Sequence, residues 1–246
     1  MRINRFLASA GFGSRRKCED LVRAGSVSIN GKVNLNLSAT VDGESDVVTV
    51  DGIRAFPRGG TRIFVLNKPV GVLCTVSDDR KRKTVLDIAA EKGFGRRLFP
   101  VGRLDMYTSG IILLTDDGDL TYRLTHPRFK IDKVYIVNVA GEVRDAEIAR
   151  IASGIDLDGH KTGPCTIAVL ERNKSETTAE VVLREGRNRQ IRRSFMEIGH
   201  KVRRLHRKAL GELEFKDLAE GEMRPLSAGE EKILRRQTGL SQGVGK

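Results

Sequence analysis

Two apolar runs flank one polar loop in LFPVGRLDMYTSGIILL, residues 98–114. The runs predict strands, and the glycines at positions 102 and 110 permit backbone conformations that other residues adopt only at a cost. The loop holds a single carboxylate, Asp105. An acid on a loop between strands can act as a nucleophile or a general base, although the same residues could form an ordinary capped turn. Asp105 is therefore a candidate catalytic residue.

Around this loop the chain mixes β runs and helical stretches in an irregular order. That order argues against a doubly wound sheet and predicts an α+β fold built on a mostly antiparallel mixed sheet. We predict that this larger domain spans residues 61–236 and that the polar, glycine-rich residues 237–246 are disordered. The predicted strands lie at 63–66, 110–114, 134–139 and 179–183, and the predicted helices lie near 84–92, 144–153 and 189–198.

The first 58 residues are predicted to form a separate small domain. An apolar helical face runs through residues 3–10, and a second helix should begin after Ser14, a residue that caps helix N-termini well. Asn30-Gly31 lies between two β runs and predicts a tight hairpin. The breakers Pro57-Arg58-Gly59-Gly60 predict a linker between this domain and the rest of the chain.

The chain is strongly basic, with 44 Lys and Arg against 32 Asp and Glu in 246 residues, a net charge of +12. This excess favours a polyanionic partner, although a solvated basic surface is the alternative. Residues 184–208 carry ten basic and two acidic residues, or +8, which we place on a strand, a helix start and a loop. The candidate RNA-binding residues are Arg2, Arg5, Arg15, Arg16, Lys17, Arg23, Asn30, Lys32, Arg203 and Arg204.

The sequence lacks the signals of membrane, metal-binding and disulfide-rich proteins. No run of 18 or more apolar residues is present, so no transmembrane helix is predicted. Cys18, Cys74 and Cys165 are widely spaced, and the four histidines lack metal-ligand spacing. We therefore expect a soluble, cytoplasmic monomer with buried reduced thiols, and with no membrane, metal or cofactor partner.

Three motifs occur in order along the larger domain: Gly102–Gly110 with the apolar strand after it, Lys133-x-Tyr135, and Glu185-Gly186-Arg187-Asn188-Arg189-Gln190-Ile191-Arg192-Arg193. Taken in this order, they resemble those of the RsuA/RluB-type ribosomal RNA pseudouridine synthases. Residues 6–31 are also similar to the S4 RNA-binding domain that precedes the catalytic domain in this family. Residues 66–87 are more similar to the large-subunit, 23S rRNA enzymes than to the 16S enzyme.

The resemblance implies an isomerase that breaks the N1–C1′ bond of a uridine, rotates the base and rejoins it through C5 without metal or cofactor. Asp105 would be the nucleophile, Tyr135 would stack on the base, and Arg192 would pair with the Asp105 carboxylate. The partner would be ribosomal RNA, either free or in an assembling subunit. The residues implied in substrate binding are Arg103, Thr108, Lys133, Arg187, Arg189, Gln190 and Leu205.

Two other functions are compatible with the sequence. A noncatalytic RNA-binding or ribosome assembly protein could keep the fold without the reaction, but intact Asp105, Tyr135 and Arg192 argue against it. The basic charge alone would also allow a DNA-binding regulator. Aromatic residues are few, with three Tyr and no Trp, which favours recognition of folded RNA by shape and phosphate contacts over stacking on a broad platform.

Overall fold

The computed structural model describes residues 1–56, 61–94 and 98–240. These residues form two compact units, one of residues 1–56 and one that begins at Thr61, and each is described by itself. The predicted linker at 57–60 lies outside the described residues. The exact bounds of the two domains stay a prediction.

In the first unit, two helices and a four-stranded antiparallel sheet share one apolar core. The elements are α1 (Ile3–Ala10), α2 (Arg15–Arg23), β1 (Val27–Ile29), β2 (Lys32–Val33), β3 (Val48–Val50) and β4 (Ile53–Arg54), with strand order β2-β1-β3-β4. Helix α1 ends where Gly11 adopts a left-handed φ of 103°. Helix α2 begins where Ser14 Oγ accepts a hydrogen bond from Lys17 N over 3.2 Å. The predicted helix cap and the Asn30-Gly31 hairpin are both confirmed.

The second unit consists of one large mixed sheet, a small hairpin and five α-helices in its described residues. The helices are α3 (Val85–Glu91), α4 (Gly118–Thr125), α5 (Asp145–Ala152), α6 (Gln190–Glu197) and α7 (Ala228–Thr238). The strands are β5 (Ile63–Lys68), β6 (Phe99–Pro100), β7 (Ser109–Thr115), β8 (Lys133–Ala140), β9 (Asp156–Leu157), β10 (His160–Lys161), β11 (Thr166–Arg172), β12 (Glu176–Leu183), β13 (Val202–Leu210), β14 (Leu213–Glu214) and β15 (Met223–Pro225).

The large sheet has the order β11-β12-β8-β13-β7-β5-β15, with β14 beside β13 and β6 beside β7. Strands β7 and β13 run parallel and the other pairs run antiparallel, which confirms the α+β fold with a mostly antiparallel sheet. Strand β7 is buried on both sides because helices cover both faces of the sheet. Its Ile112 and Leu114 pack with α3, α5 and α6, whereas Ile111 and Leu113 pack with α4 and α7.

The predicted helices near 84–92, 144–153 and 189–198 are confirmed as α3, α5 and α6. The predicted strands are confirmed as β5, β7, β8 and β12. The end of the basic segment, expected to be a loop, is instead strand β13 at the centre of the sheet. Apolar side chains such as Leu205 and Ala209 are interspersed with basic ones and are buried. The strand can therefore lie inside the sheet although its sequence is strongly basic.

The prediction that residues 237–246 are disordered is wrong for the first of these residues. Helix α7 continues to Thr238, and Gly239 ends it in a left-handed conformation. Arg123 Nη1 donates to Thr238 O over 2.7 Å and to Gly239 O over 3.0 Å, which satisfies carbonyls that the helix end leaves open. Leu240 packs against the apolar cluster on the α7 side of the sheet. Residues 241–246 lie outside the described residues.

Three features of the described residues concern membrane spans, metal binding and the cysteine thiols. Across residues 1–56, 61–94 and 98–240, no helix is both long and apolar enough to cross a membrane. In the same ranges, no group of three or more His, Cys, Asp and Glu side chains could hold a metal ion. All three cysteines are free, with Cys18 and Cys74 buried and Cys165 partly buried. Burial raises the pKa of Cys165 to about 11, so this thiol stays protonated at neutral pH.

Candidate active site

The Asp105 loop lies between β6 and β7 and is tied to the segment that follows β5. Gly71 N donates to Met106 O over 2.8 Å, and Leu104 N donates to Cys74 Sγ over 3.3 Å. These contacts hold both sides of Asp105, whose own side chain is partly buried. The loop therefore presents its carboxylate from a fixed backbone, as catalysis by a loop residue requires.

A pocket of about 250 Å³ opens beside this loop and gathers most of the predicted site. Its walls come from the loop, from β8 and β13, and from the segment that precedes α6. Asp105 is the single carboxylate among the described residues that line it. Of the ten residues predicted to be catalytic or substrate-binding, Arg192 alone is outside the lining. The nine in the lining are Arg103, Asp105, Thr108, Lys133, Tyr135, Arg187, Arg189, Gln190 and Leu205.

Tyr135 forms part of the pocket and is fixed within the sheet. It lies on β8, in register with Val181 of β12 and with Arg207 of β13, and it is 9% exposed. A ring held among three strands has little conformational freedom left to lose when a ligand stacks on it. Leu205 of β13 adds an apolar wall to the same pocket. The arrangement suits a planar base.

Arg192 holds the loop and does not pair directly with Asp105. Its Nη2 donates to Tyr107 O over 2.5 Å, and its Nη1 donates to Val202 O over 3.3 Å. No ion pair joins Arg192 to Asp105 within the described chain, so the expected direct pairing is wrong for this structure. The Nη1 and Nη2 groups of Arg192 donate to these backbone carbonyls of β13 and of the loop instead. Burial and the nearby Arg189 lower the pKa of Arg192, whereas the Asp105 charge opposes that shift.

Arg192→Lys should slow catalysis much more than it weakens substrate binding. A lysine ammonium is a point charge and cannot replace the planar fork that reaches both carbonyls, so the loop loses its tether to β13. We expect kcat to fall by about 100-fold and KM to change by less than about threefold. Steady-state kinetics on an rRNA fragment measure both values. Arg193→Lys is the matched control, because Arg193 pairs with Asp158 over 2.6 Å. A rise in KM with unchanged kcat would contradict the tether.

The segment before α6 is braced by its own hydrogen bonds. Gln190 Nε2 donates to Glu185 Oε1 over 2.7 Å, and Gln190 Oε1 accepts from Arg187 N over 3.2 Å. The Arg187 guanidinium donates to two backbone carbonyls of β10. The polar atoms of Gln190 and Arg187 thus form internal hydrogen bonds that hold this wall of the pocket in place. The side chain of Arg189, a residue at φ 51° before α6, has no hydrogen-bond or ion-pair partner in the part of the chain that is described.

Three buried polar residues at the site were not predicted. Lys68 ends β5, is fully buried, and donates from Nζ to two backbone carbonyls of the turn after it. Burial lowers the pKa of Lys68 and raises the pKa of Cys74. Arg207 is 3% exposed and lines the pocket. Arg207 is two residues after Leu205, and residues at this spacing share one face of a strand. A predicted strand at residues 202–210 would therefore have placed Arg207 on the pocket side.

The charge of the basic segment 184–208 is partly neutralised by acids from distant parts of the chain. The ion pairs are Arg184–Asp132, Arg193–Asp158, Arg203–Glu176 and Lys208–Glu180. Exposed pairs of this kind are weak, and phosphates can compete with them. The Arg204 side chain is exposed and has no ion-pair partner among the described residues. The phosphate-binding capacity of the segment is therefore smaller than +8 suggests.

In the first unit the candidate RNA-binding residues are all on the surface. The eight exposed residues are Arg2, Arg5, Arg15, Arg16, Lys17, Arg23, Asn30 and Lys32. Arg23 pairs with Asp20 over 2.8 Å. The Asn30 amide is also used internally, since Nδ2 donates to Asp46 Oδ1 and Oδ1 accepts from Val47 N, both over 2.8 Å. These bonds stabilise the hairpin, and an RNA contact by Asn30 stays a prediction.

Comparison with known proteins identifies both units. Residues 62–197 match the family model for RNA pseudouridylate synthase, and residues 1–55 match that for the S4 domain. The ribosomal large subunit pseudouridine synthase B of Bacillus subtilis is 39% identical over 95% of this chain and 95% of its own length. The protein of the same name from Vibrio cholerae is 37% identical over 86% of this chain and 67% of its own length.

The fold agrees with these similarities. A crystal structure of a pseudouridylate synthase superposes with a TM-score of 0.68 at 32% sequence identity, and covers 95% of this chain and 99% of that one. The family resemblance predicted from the three motifs is confirmed. The chain therefore belongs to the RNA pseudouridylate synthase family and is a pseudouridine synthase with an S4 domain.

Proposed function

We propose that this pseudouridine synthase modifies a uridine of large-subunit ribosomal RNA, with Asp105 as its nucleophile. The observation that carries the proposal is the pocket in which Asp105, the one carboxylate among its described lining residues, lies together with the Tyr135 ring and several cations. The names of the Bacillus subtilis and Vibrio cholerae relatives support the large subunit as the source of the substrate. Residues 66–87, which are more similar to the 23S enzymes, support the same assignment.

In the proposed reaction the target uridine leaves its stack and enters the pocket. Tyr135 stacks on the base, and Asp105 attacks the nucleotide to open the N1–C1′ bond. The base turns so that C5 takes the place of N1 at C1′, C5 loses its proton, and N1 gains one. Extrusion of the base costs a few kcal/mol. Phosphate contacts from exposed cations such as Arg189 and Arg204 offset that cost.

Mapping pseudouridines in rRNA from cells with and without the gene tests the proposed function. Loss of modification at a 23S position supports it. Loss at a 16S position would assign the enzyme to the small subunit, and unchanged maps would reject rRNA as the substrate. Purified protein acting on naked transcripts and on assembling subunits then distinguishes free rRNA from a particle as the substrate.

The first unit is proposed to bind RNA phosphates through Arg15, Arg16 and Lys17 at the exposed start of α2. Changing all three to Gln should weaken RNA binding and reduce the slope of log Kd against log salt by about 0.7–0.9 for each phosphate that the variant no longer neutralises. Fluorescence titration over a salt series measures the slope. A charge-matched control replaces exposed Lys174, Lys216 and Lys232 of the second unit with Gln. Equal slopes for both variants would contradict the assignment.

Binding competition separates this proposal from the two other functions. A DNA-binding regulator would prefer duplex DNA to a folded rRNA fragment at fixed salt, whereas the proposed enzyme should prefer the fragment. A noncatalytic assembly protein would bind the fragment but form no pseudouridine in it. We also propose that the enzyme acts in the cytoplasm as a monomer. Light scattering on the purified protein tests the monomer.

A further inference from the structure

Arg207 is a buried cation that has no counter-ion among the residues the structure describes. It lies on β13, is 3% exposed, and donates from Nε to Ile111 O over 2.6 Å. Its Nη2 is buried and has no hydrogen-bond partner within residues 1–56, 61–94 and 98–240. No carboxylate lies within 4.0 Å of the guanidinium in the described parts of the chain. An uncompensated buried charge opposes folding, so its place beside the pocket calls for a ligand that supplies negative charge.

Two further polar side chains line the same pocket as Arg207. Lys133 lines it and donates from Nζ to Ile131 O over 3.1 Å. Burial and the Arg207 charge both lower the pKa of Lys133, and both cations line the same pocket. Thr108 also lines the pocket and is 2% exposed, and its Oγ1 has no hydrogen-bond partner in the described chain. Three segments of the chain thus bring unused hydrogen-bonding capacity to one space.

Strand register places Arg207 next to the ring that is proposed to stack on the base. Arg207 of β13 and Tyr135 of β8 are direct antiparallel partners. Partners of this kind point to the same face of a sheet, with Cβ atoms about 5 Å apart. On its other side Arg207 is the partner of Gly110, the residue at which the Asp105 loop joins β7. A base stacked on Tyr135 therefore lies within reach of the Arg207 guanidinium.

We propose that Arg207 and Lys133 stabilise the uracil anion that forms when the glycosidic bond breaks. This role rests on the proposed function. As N1–C1′ breaks, its electron pair stays on the ring and spreads over N1, O2 and O4, while an Asp105 oxygen bonds to C1′. The ring returns this charge when C5 bonds to C1′ and displaces Asp105, after which C5 loses a proton and N1 gains one. Fixed cationic donors lower the barrier because the charge on the oxygens is greatest while the bond is broken.

The position of the two cations favours the base over a phosphate. Arg207 has almost no surface in contact with solvent, whereas a phosphate of the RNA backbone stays hydrated at the surface. Exposed arginines such as Arg189 and Arg204 suit that contact better. The uracil ring is the part of the nucleotide that must enter the pocket. Its carbonyl oxygens are the acceptors that gain negative charge during the reaction.

Arg207→Met and Lys133→Met test the proposal under single-turnover conditions with saturating enzyme. We expect each variant to lower the rate constant for pseudouridine formation by about 10²–10³-fold and to change the RNA Kd by less than about threefold. Arg235→Met is the matched control, since Arg235 is also buried but pairs with Glu231 and Asp117 outside the pocket. It should keep the wild-type rate. A loss of affinity that matches the loss of rate would indicate a phosphate ligand and overturn the proposal.

Substrates with 2-thiouridine or 4-thiouridine at the target separate an electrostatic role from a structural one. Sulfur is a weak hydrogen-bond acceptor, so one of the two should slow the wild-type enzyme and Arg235→Met. The same substitution should have much less effect on Arg207→Met, which has no guanidinium to donate to that atom. Equal thio effects in wild type and Arg207→Met for both substrates would overturn the proposal. A wild-type enzyme inactive on unmodified RNA would instead reject the proposed function itself.

Discussion

Asp105→Ala should abolish pseudouridine formation while leaving the affinity for RNA unchanged or slightly higher. The change removes the single carboxylate among the described residues that line the pocket, so no neighbouring acid can take over its role. Loss of a nucleophile costs about 10⁴-fold or more in rate. The affinity should not fall, because a carboxylate repels phosphates and makes no favourable contact with them. Single-turnover formation of pseudouridine and a binding titration on the same rRNA fragment measure the two effects.

Two companion variants make this result specific. Asp105→Asn keeps the size and polarity of the side chain but removes its charge, so it should be as inactive as Asp105→Ala if ionisation is what matters. Asp217→Ala removes an exposed carboxylate outside the pocket and should leave the rate unchanged. Measurable turnover by Asp105→Ala would contradict the assignment of Asp105 as the nucleophile. Inactivity of Asp217→Ala would point to general damage to the fold.

The position of Asp105 was predictable because its signal is local. Glycines at both ends, an apolar strand after the loop and the absence of other acids in the motif are all visible in residues 102–115. Tyr135 and Lys133 followed from a second short motif, and the structure brings all three residues into one pocket. What the residues alone could not distinguish was a catalytic acid from a capped turn. That distinction depends on distant segments, which place Tyr135 beside the loop.

The role of Arg192 and the existence of Arg207 at the site were harder to foresee, for physical reasons. Arg192 donates to carbonyls of Tyr107 and Val202, and backbone acceptors of this kind leave no mark on the sequence. Arg207 lies in a basic segment whose charge suggested a loop that contacts RNA. Its burial results from pairing of β13 with β7 and β8, which are separated from it by long stretches of chain. Local patterns predict elements, whereas nonlocal pairing decides which side chains are buried.

Gly110→Ala should destabilise the second unit and inactivate the enzyme, although it adds only one methyl group. Gly110 adopts φ 113°, which L-residues rarely adopt. A Cβ at this position would lie 2.5 Å from Arg207 N and closer still to Arg207 O, so β7 and β13 would have to separate. Strand β13 cannot yield freely because Arg207 is also paired with Tyr135 of β8. We expect a loss of about 3 kcal/mol or more in the free energy of unfolding.

Urea unfolding followed by tyrosine fluorescence measures this effect in the full chain. All three tyrosines, Tyr107, Tyr122 and Tyr135, belong to the second unit, and the chain has no Trp, so the signal reports that unit alone. Gly229→Ala is the control, since a Cβ at this position in α7 would meet nothing within 4 Å. It should be neutral or stabilise by up to about 1 kcal/mol. Equal unfolding midpoints for the two variants would show that β13 moves away from β7 at little cost. The part of the pocket formed by β13 would then be flexible, and Arg207 would not be held in a fixed position beside Tyr135.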